Sequence, residues 1–405
     1  MPPTTSIKTQ EGRFARLEAI EWWKQDLLAR SHVLVIGAGA LGNEVVKNLA
    51  MLGVGHVVVV DMDLVETSNL SRSVLFREGD EGQPKAVCAA AAAREIYPGI
   101  EITPVVGNVL ASVGLGYFRW ADVVIGAVDN REARVFVNAA CTRVGRPWFD
   151  GGIEVLHGVV RGFSAPGTAC YECTMSQVDW DLLNKRRSCS LLARRAAVER
   201  GTPTTPTTAS VIGAMQVTEA VKHLHGLPSL LGKGFVFDGV EHTSYTVTYP
   251  TSPQCPWHEG AAAVESRMEF SSDTPLSAVW EAGAGRLGGV DSIEFGRELV
   301  EKVECSTCGH VGGIMRPAEV IEAERLRCPS CGKECAPVFL HSIAGDSELL
   351  ARTPREVGLP AWDIVWARRG ATYMGFELAG DDPWRGGNDG SNSRKGEHAL
   401  EKQLS

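Results

Sequence analysis

Apolar residues in the N-terminal half fall into short unbroken runs separated by longer amphipathic stretches. VLVIG (33–37), HVVVVDMD (56–63), EITPVVGNV (101–109) and DVVIGAVDN (122–130) read as strands. Between them, LGNEVVKNLAMLG and the alanine-rich run 85–96 have helical spacing, as does Phe14–Ala29 ahead of the first strand. Strands alternating with helices, without hairpin signals, predict a parallel sheet with helices on both faces. Further on, GTPTTPTT (201–208) leads into a helix, ASVIGAMQVTEAVKHLHG. Near residue 260 the character changes. Residues 265–345 read as short strands around cysteine pairs, and 353–381 as two strand-like runs about a turn. The polar ends, residues 1–10 and the glycine-rich 381–405, are expected to be disordered. The divisions expected are therefore 1–258, 259–380 and a tail, 381–405.

Gly37, Gly39 and Gly42 form GxGxxG between the first strand and the first long helix. Glycines there bring backbone N–H groups against a phosphate at the positive end of a helix. Asp61 ends the next strand, nineteen residues beyond Gly42, where a carboxylate can grip a ribose hydroxyl. These features alone fit an NAD-dependent oxidoreductase. The residues beyond Asp61 favour a triphosphate. Asp63, Asn69 and Arg72 lie in the next loop, Lys85 starts a helix, and Asp129 and Asn130 come after a strand end. Two cations suit a departing pyrophosphate, and an aspartate suits Mg²⁺. The plainer alternative is that Arg72 and Lys85 are surface charges and Asp129 caps a helix.

Composition narrows the setting. With 405 residues, 44% hydrophobic and 22% charged, the chain has the length of two or three domains and is not disordered throughout. A net charge of −9 gives no reason to expect a nucleic acid or an anionic membrane as partner. No apolar run approaches the roughly 18 residues of a membrane span. MPPTTSIKTQEGR lacks a signal-peptide core. The expectation is a soluble, cytoplasmic protein, in which eleven cysteines point to metal and thiol chemistry rather than disulfides.

GAGALG, DMDLVETSNLSR, GQPKA and VDNREAR together resemble the adenylation domain of the ubiquitin-activating E1, MoeB and ThiF superfamily, from about Arg13 to residue 258. The resemblance implies a Rossmann-like, doubly wound fold. It also implies a bacterial E1-like homodimer in which a ubiquitin-like protein's C-terminal carboxylate attacks the α-phosphate of ATP. By motif position, Asp61 would hold the ribose, Asn69, Arg72 and Lys85 the phosphates, and Asp129 the magnesium. RFAR (13–16) is similar to the family's Arg-Tyr-x-Arg, whose second arginine, here Arg16, would reach the ATP of the other subunit. Ala40 stands where a second glycine is usual, and Ser73 where a glutamine is common.

The cysteines sort into three groups. Cys170 and Cys173 (CYEC) pair with Cys255 and His258 (CPWH), a spacing typical of structural zinc ligands that meet on folding. The E1-like family normally has four cysteines at these places. Cys305, Cys308, Cys328 and Cys331 form a zinc-ribbon pattern, expected to staple a β-rich C-terminal module with little core of its own. Cys88 and Cys141 read as buried hydrophobes, and Cys335 as a spare thiol. Cys189 stands apart. It lies between Arg186, Arg187 and Arg194, Arg195, whose charge would favour its thiolate. Its place also resembles the E1 crossover segment, here about 174–209, that carries the thioester cysteine before transfer to an E2-like conjugating enzyme. Without a thioester step, the alternative is a sulfur-carrier adenylyltransferase. An inert loop cysteine is the plainest reading. His157, His223 and His225 are expected to be structural.

Overall fold

The computed structural model describes residues 12–188, 191, 203–258 and 264–380. Two sheets organise them. The first takes its strands in the order β3-β2-β1-β4-β5-β6-β7-β8. Strands β1 (His32–Ile36), β2 (His56–Asp61), β3 (Glu101–Val106), β4 (Val123–Gly126) and β5 (Trp148–Glu154) are parallel. Successive side chains enter opposite cores: Val33, Val35, Val57, Val59, Val123 and Ile125 on one side, Leu34, Ile36, Val58, Val60 and Val124 on the other. A strand buried on both faces has to be apolar throughout, which is why these runs show no alternation. Helices α3 (Ala40–Met51), α4 (Lys85–Ile96) and α9 (Pro206–Leu224) cover the first core. Helices α5 (Val109–Ser112), α6 (Leu115–Trp120) and α7 (Arg131–Val144) cover the second.

The strands read from the sequence form the expected parallel sheet, which three further strands extend. β6 (His157–Phe163), β7 (Lys233–Asp238) and β8 (Thr243–Thr248) run antiparallel. Residues 154 and 157 pair directly, so a two-residue turn joins β5 to β6, with Val155 at φ 51. Valine there is costly and gives no turn signal in the sequence. Phe14–Ala29 is likewise not one helix but two, α1 (Ala15–Glu18) and α2 (Gln25–Arg30). Between them Trp22 and Trp23 both pack on His225, with ring centroids 5.3 and 5.4 Å away, and adjacent residues on a helix cannot face one partner together.

The second sheet follows β11-β10-β13-β14-β9, with β12 also paired to β10. Its strands are β9 (Val264–Ser271), β10 (Ser292–Glu304), β11 (Val311–Pro317), β12 (Ala336–Ile343), β13 (Ile364–Arg369) and β14 (Thr372–Ala379). The β13–β14 hairpin matches the expected pair of runs about a turn. The region before it does not consist of short strands alone. β10 spans 13 residues, and α10 (Leu276–Leu287) is a helix of 12. A Cβ at Gly283 would lie 2.5 Å from Ala367, so this small-residue helix sits close on β13.

The two sheets share a core: Ile364 is buried in the same cluster as Leu115 and Phe118, with Trp362, Trp366 and Val264 packed against it. Cβ atoms at Gly114 and Gly116 would collide with the backbone and ring of Trp362, at 2.2–2.5 Å from the nearest atoms of residues 361–362. Arg297 of β10 locks the contact. Its side chain, 3% exposed, donates to the carbonyls of Leu110 and Val113 and pairs with Asp363. Arg297→Ala should lower the unfolding free energy by about 3 kcal/mol, because it strands a largely buried carboxylate. Denaturant titration checks this. Replacing both partners by Met and Leu should cost less than Arg297→Ala alone.

Candidate active site and metal centres

The glycine loop forms where β1, β2 and β4 end side by side. The Gly37 N–H donates to the Val60 carbonyl at 2.8 Å, and the Ala127 N–H to that of Ile36 at 2.8 Å. Gly37 has φ 99, and a Cβ on it would lie 2.4 Å from the Ala127 carbonyl oxygen. Gly39 caps α3 in an extended conformation and Ala40 is the first helical residue, so its N–H is among those left unpaired within the helix. The positive end of α3 therefore faces the ligand-binding edge of the sheet.

Buried polar groups hold the surrounding loops against this edge. Asp61 accepts from the N–H of Ala38 at 2.6 Å and from that of Asp63 at 2.8 Å. Burial pushes its carboxyl above the usual range, Asp63 adds to this, and Lys85 opposes it. Asn43, fully buried, donates to the carbonyls of Ala38 and Gly39 and accepts from the Leu75 N–H. It thus pins the loop carrying Asn69, Arg72 and Ser73 to the glycine loop. Asn69 is itself buried, with its Oδ1 accepting from the Glu66 N–H. Lys85, the first residue of α4, pairs with Asp63 at 2.9 Å. Asp129 is exposed beyond β4, and the cap of α7 is Asn130, whose side chain accepts from the Ala133 N–H at 2.8 Å. The capping alternative for Asp129 therefore falls to its neighbour.

Some features of this edge have no sequence signal. Asp150 on β5 is fully buried between Arg134 and Arg161, at 2.8 and 2.5 Å. Burial lowers Arg161 but Asp150 outweighs it, so the guanidinium stays charged. Arg134 also donates to the carbonyls of Val128 and Gly151, fastening the β4 and β5 ends together. Neither Asp150 nor Arg161 belongs to a spaced motif. Arg131 pairs with Asp179 at 2.9 Å, which brings α8 (Gln177–Ser188) to the residues just after Asp129. Arg16 is not brought to this edge. α1 lies at the far end of α3, where a Cβ on Gly53 would touch the Phe14 ring at 2.4 Å. Twelve helical residues, about 18 Å, separate it from the glycine loop.

Both four-ligand groups assemble. Cys170 Sγ lies 3.8 Å from Cys173 Sγ and 3.5 Å from Cys255 Sγ, and Cys173 Sγ lies 3.2 Å from His258 Nε2. Tetrahedral zinc with bonds of about 2.3 Å places sulfurs about 3.8 Å apart, so the donor set and spacing fit that ion. Glu172 ties the two halves, accepting from Trp257 Nε1 at 2.6 Å and Asn138 Nδ2 at 3.2 Å. In the second group Cys305 and Cys331 are 3.5 Å apart, and Cys308 and Cys328 3.4 Å. Its two turns repeat each other: the N–H of Gly309 bonds the Cys305 carbonyl and that of Gly332 the Cys328 carbonyl, both at 2.9 Å. Backbone N–H groups of Cys308, then Thr307, lower the Cys305 thiol to about 6.

Cys88 and Cys141 are buried, and burial raises both thiols, as expected of packing residues. Cys189 lies outside the described residues. His225 is satisfied structurally, accepting from the Lys24 N–H at 3.1 Å. No helix among the described residues is long and apolar enough to cross a membrane.

A mixed α/β sheet with the glycine loop at α3 and these surrounding loops defines an adenylation fold of the E1-like superfamily. Within it the chain belongs to the ThiF family, whose pattern matches residues 12–257. It is 34% identical over 259 residues to the SAMP-activating enzyme E1 of Haloferax volcanii, covering 61% of this chain and 88% of that one. To the sulfur carrier protein adenylyltransferase of Thermus thermophilus it is 32% identical over 238 residues, 57% of this chain and 83% of that one. The crystal structure of E. coli MccB with ATP has the same fold, with a TM-score of 0.51 at 22% identity over 62% of this chain and 75% of that chain. Residues 264–380 lie beyond the family match.

Each metal centre generates its own expectation. Metal analysis of the full chain should find two zinc ions, and His258→Ala should lose one while Cys308→Ser loses the other. Both variants retaining two would contradict the ligand sets.

Proposed function

We propose that this protein adenylates the C-terminal carboxylate of a ubiquitin-like protein at the expense of ATP. The observation that carries the reading is the convergence of the glycine loop, the Asn69–Arg72 loop, Lys85 and Asp129 on one edge of the sheet. Backbone N–H groups at Gly37–Gly42 meet the phosphates, Asp61 and Asp63 flank the ribose, and Asn69, Arg72 and Lys85 carry the triphosphate. Asp129 and Asn130 close the site, and Asp129 would hold Mg²⁺, which supplies charge neutralisation on the phosphate oxygens. A carboxylate oxygen of the substrate attacks the α-phosphorus. The bond to the bridging oxygen of the β-phosphate breaks, leaving an acyl-adenylate and pyrophosphate. Arg72 and Lys85 stabilise the charge that gathers on the departing pyrophosphate. Lys85 is held by Asp63, so binding exchanges one anionic partner for another. Arg134, fixed by Asp150, keeps positive charge beside the loop after β4.

The distance of Arg16 from the glycine loop of its own chain supports its acting on the site of a second copy, and hence a homodimer. Residues 1–258 then form the adenylating unit and 259–380 a zinc-stapled accessory module. The metal centres would be structural, since four protein ligands leave no position for a reacting water. In the fuller reading Cys189 attacks the acyl-adenylate, its sulfur bonding to the acyl carbon as AMP leaves, and the thioester passes to an E2-like enzyme. Support comes from the Arg131–Asp179 pair, which starts the crossover helix beside Asp129. The similarity to the Thermus enzyme favours a second reading, a sulfur-carrier adenylyltransferase that stops at the adenylate. An NAD-dependent oxidoreductase is disfavoured by membership of the ThiF family.

Arg72→Ala, Lys85→Ala and Asp129→Ala should each reduce ATP–pyrophosphate exchange at least about 100-fold. Cys189→Ala should leave exchange intact and abolish a thiol-sensitive adduct with a ubiquitin-like protein on a non-reducing gel. Full exchange in the first three variants would sink adenylation; an adduct persisting in Cys189→Ala would sink the nucleophile.

A further inference from the structure

The small core beneath the four-cysteine centre is completed by a residue from far earlier in the chain. Leu191 is 5% exposed and packs in one cluster with Val300, Val303, Ile321, Leu326 and the ligands Cys305 and Cys328. It stands three residues beyond the end of α8, in the crossover between Cys173 and α9. On α8, Leu183 is buried at 1% while Val178 and Leu182 are 65% and 44% exposed, so Leu183 fastens the helix and Leu191 the chain beyond it. Of the four ligands, Cys305 and Cys328 are buried while Cys308 and Cys331 are exposed. The two inner ligands therefore belong to the same packed group as Leu191.

We infer that the zinc-ribbon core is an intramolecular docking site for the crossover segment, with Leu191 as its anchor, and that metal occupancy and retention of the segment are thermodynamically linked. The physics is that of a shared core. Withdrawing Leu191 opens a cavity against Cys305 and Cys328, loosening the turns that present both thiolates. Losing the metal frees those turns and with them the wall on which Leu191 rests. Coupling of this kind is reciprocal. The crossover is thereby tied at its start to the candidate nucleotide site, through Asp179 and Arg131, and at Leu191 to the second sheet. The inference rests on Leu191 and stands whether or not Cys189 carries a thioester.

Trypsin tests it, because Lys185, Arg186, Arg187, Arg194, Arg195 and Arg200 surround the anchor. In the zinc-loaded full chain, Leu191→Asp should speed cleavage within 185–200 at least about tenfold, and speed release of one of the two zinc ions to a chromogenic chelator. Leu191→Met should stay within about twofold of wild type, and so should Leu182→Asp, which adds the same charge on an exposed face of α8. Should Leu191→Asp fail to fold, Cys308→Ser reads the coupling from the metal side and should also speed cleavage at 185–200. Wild-type cleavage in Leu191→Asp or in Cys308→Ser overturns the inference, as does an equal effect of Leu182→Asp. Pyrophosphate exchange is followed in parallel. Its absence in wild type would remove the adenylation reading and leave these rates fully interpretable.

Discussion

A Cβ on Gly42 would stand 2.0 Å from the Gly37 carbonyl oxygen, and one on Gly37 would stand 2.4 Å from that of Ala127. Helix α3 can begin directly on the end of β1 because neither position has a side chain. That contact aligns the positive end of the helix with the mouth of the sheet. It also lets Asn43 reach back to the loop's own carbonyls and across to Leu75. Asp61 braces the same loop from β2 through Ala38. The loops bearing Asn69, Arg72, Lys85 and Asp129 are arranged around a point fixed by missing side chains. A larger residue at either glycine would displace all of them together.

The parallel half of the sheet was legible because doubly buried strands write themselves as unbroken valine and isoleucine runs. The GxGxxG loop, Asp61 and the two four-residue cysteine and histidine groups were legible because fixed spacing is imposed by backbone geometry. What escaped was specified by tertiary contact. The β5–β6 turn uses Val155 where a hairpin normally shows glycine or asparagine. Helix α10 hides its apolar face among alanines and glycines chosen for close packing on β13. Asp150 is invisible without knowing that Arg134 and Arg161, from a helix and a neighbouring strand, meet it in the core. The break at Trp22–Trp23 depends on His225, some two hundred residues later. Roles at the edge around the glycine loop were suggested by motif. What geometry adds is the reason those side chains stay put.

The second sheet packs directly on the first unit. Trp362, Ile364 and Trp366 enter the core around α6 and α7, and Arg297 caps the short helix α5 from outside while neutralised by Asp363. A small module of this kind gains much of its order from this shared apolar surface rather than from its own. The adenylation fold in turn has the helices on one face partly covered. Burial of one arginine between two units makes their orientation specific, since its donors have fixed directions and few acceptors match them.

The first four-ligand group brings residues 170–173 to residues 255–258, and between those points the chain runs out through the crossover and back through α9, β7 and β8. β7 is hydrogen-bonded to β6, and α9 packs into the core formed by β1, β2 and β4. The parts of the chain before and after the crossover are therefore joined by sheet and core contacts as well as by the backbone. A polypeptide severed there would leave two fragments sharing one sheet, one core and one set of thiolates. In engineering terms that stretch is a place to split the protein: two pieces ending and beginning there would share the strands of one sheet and the side chains of one core.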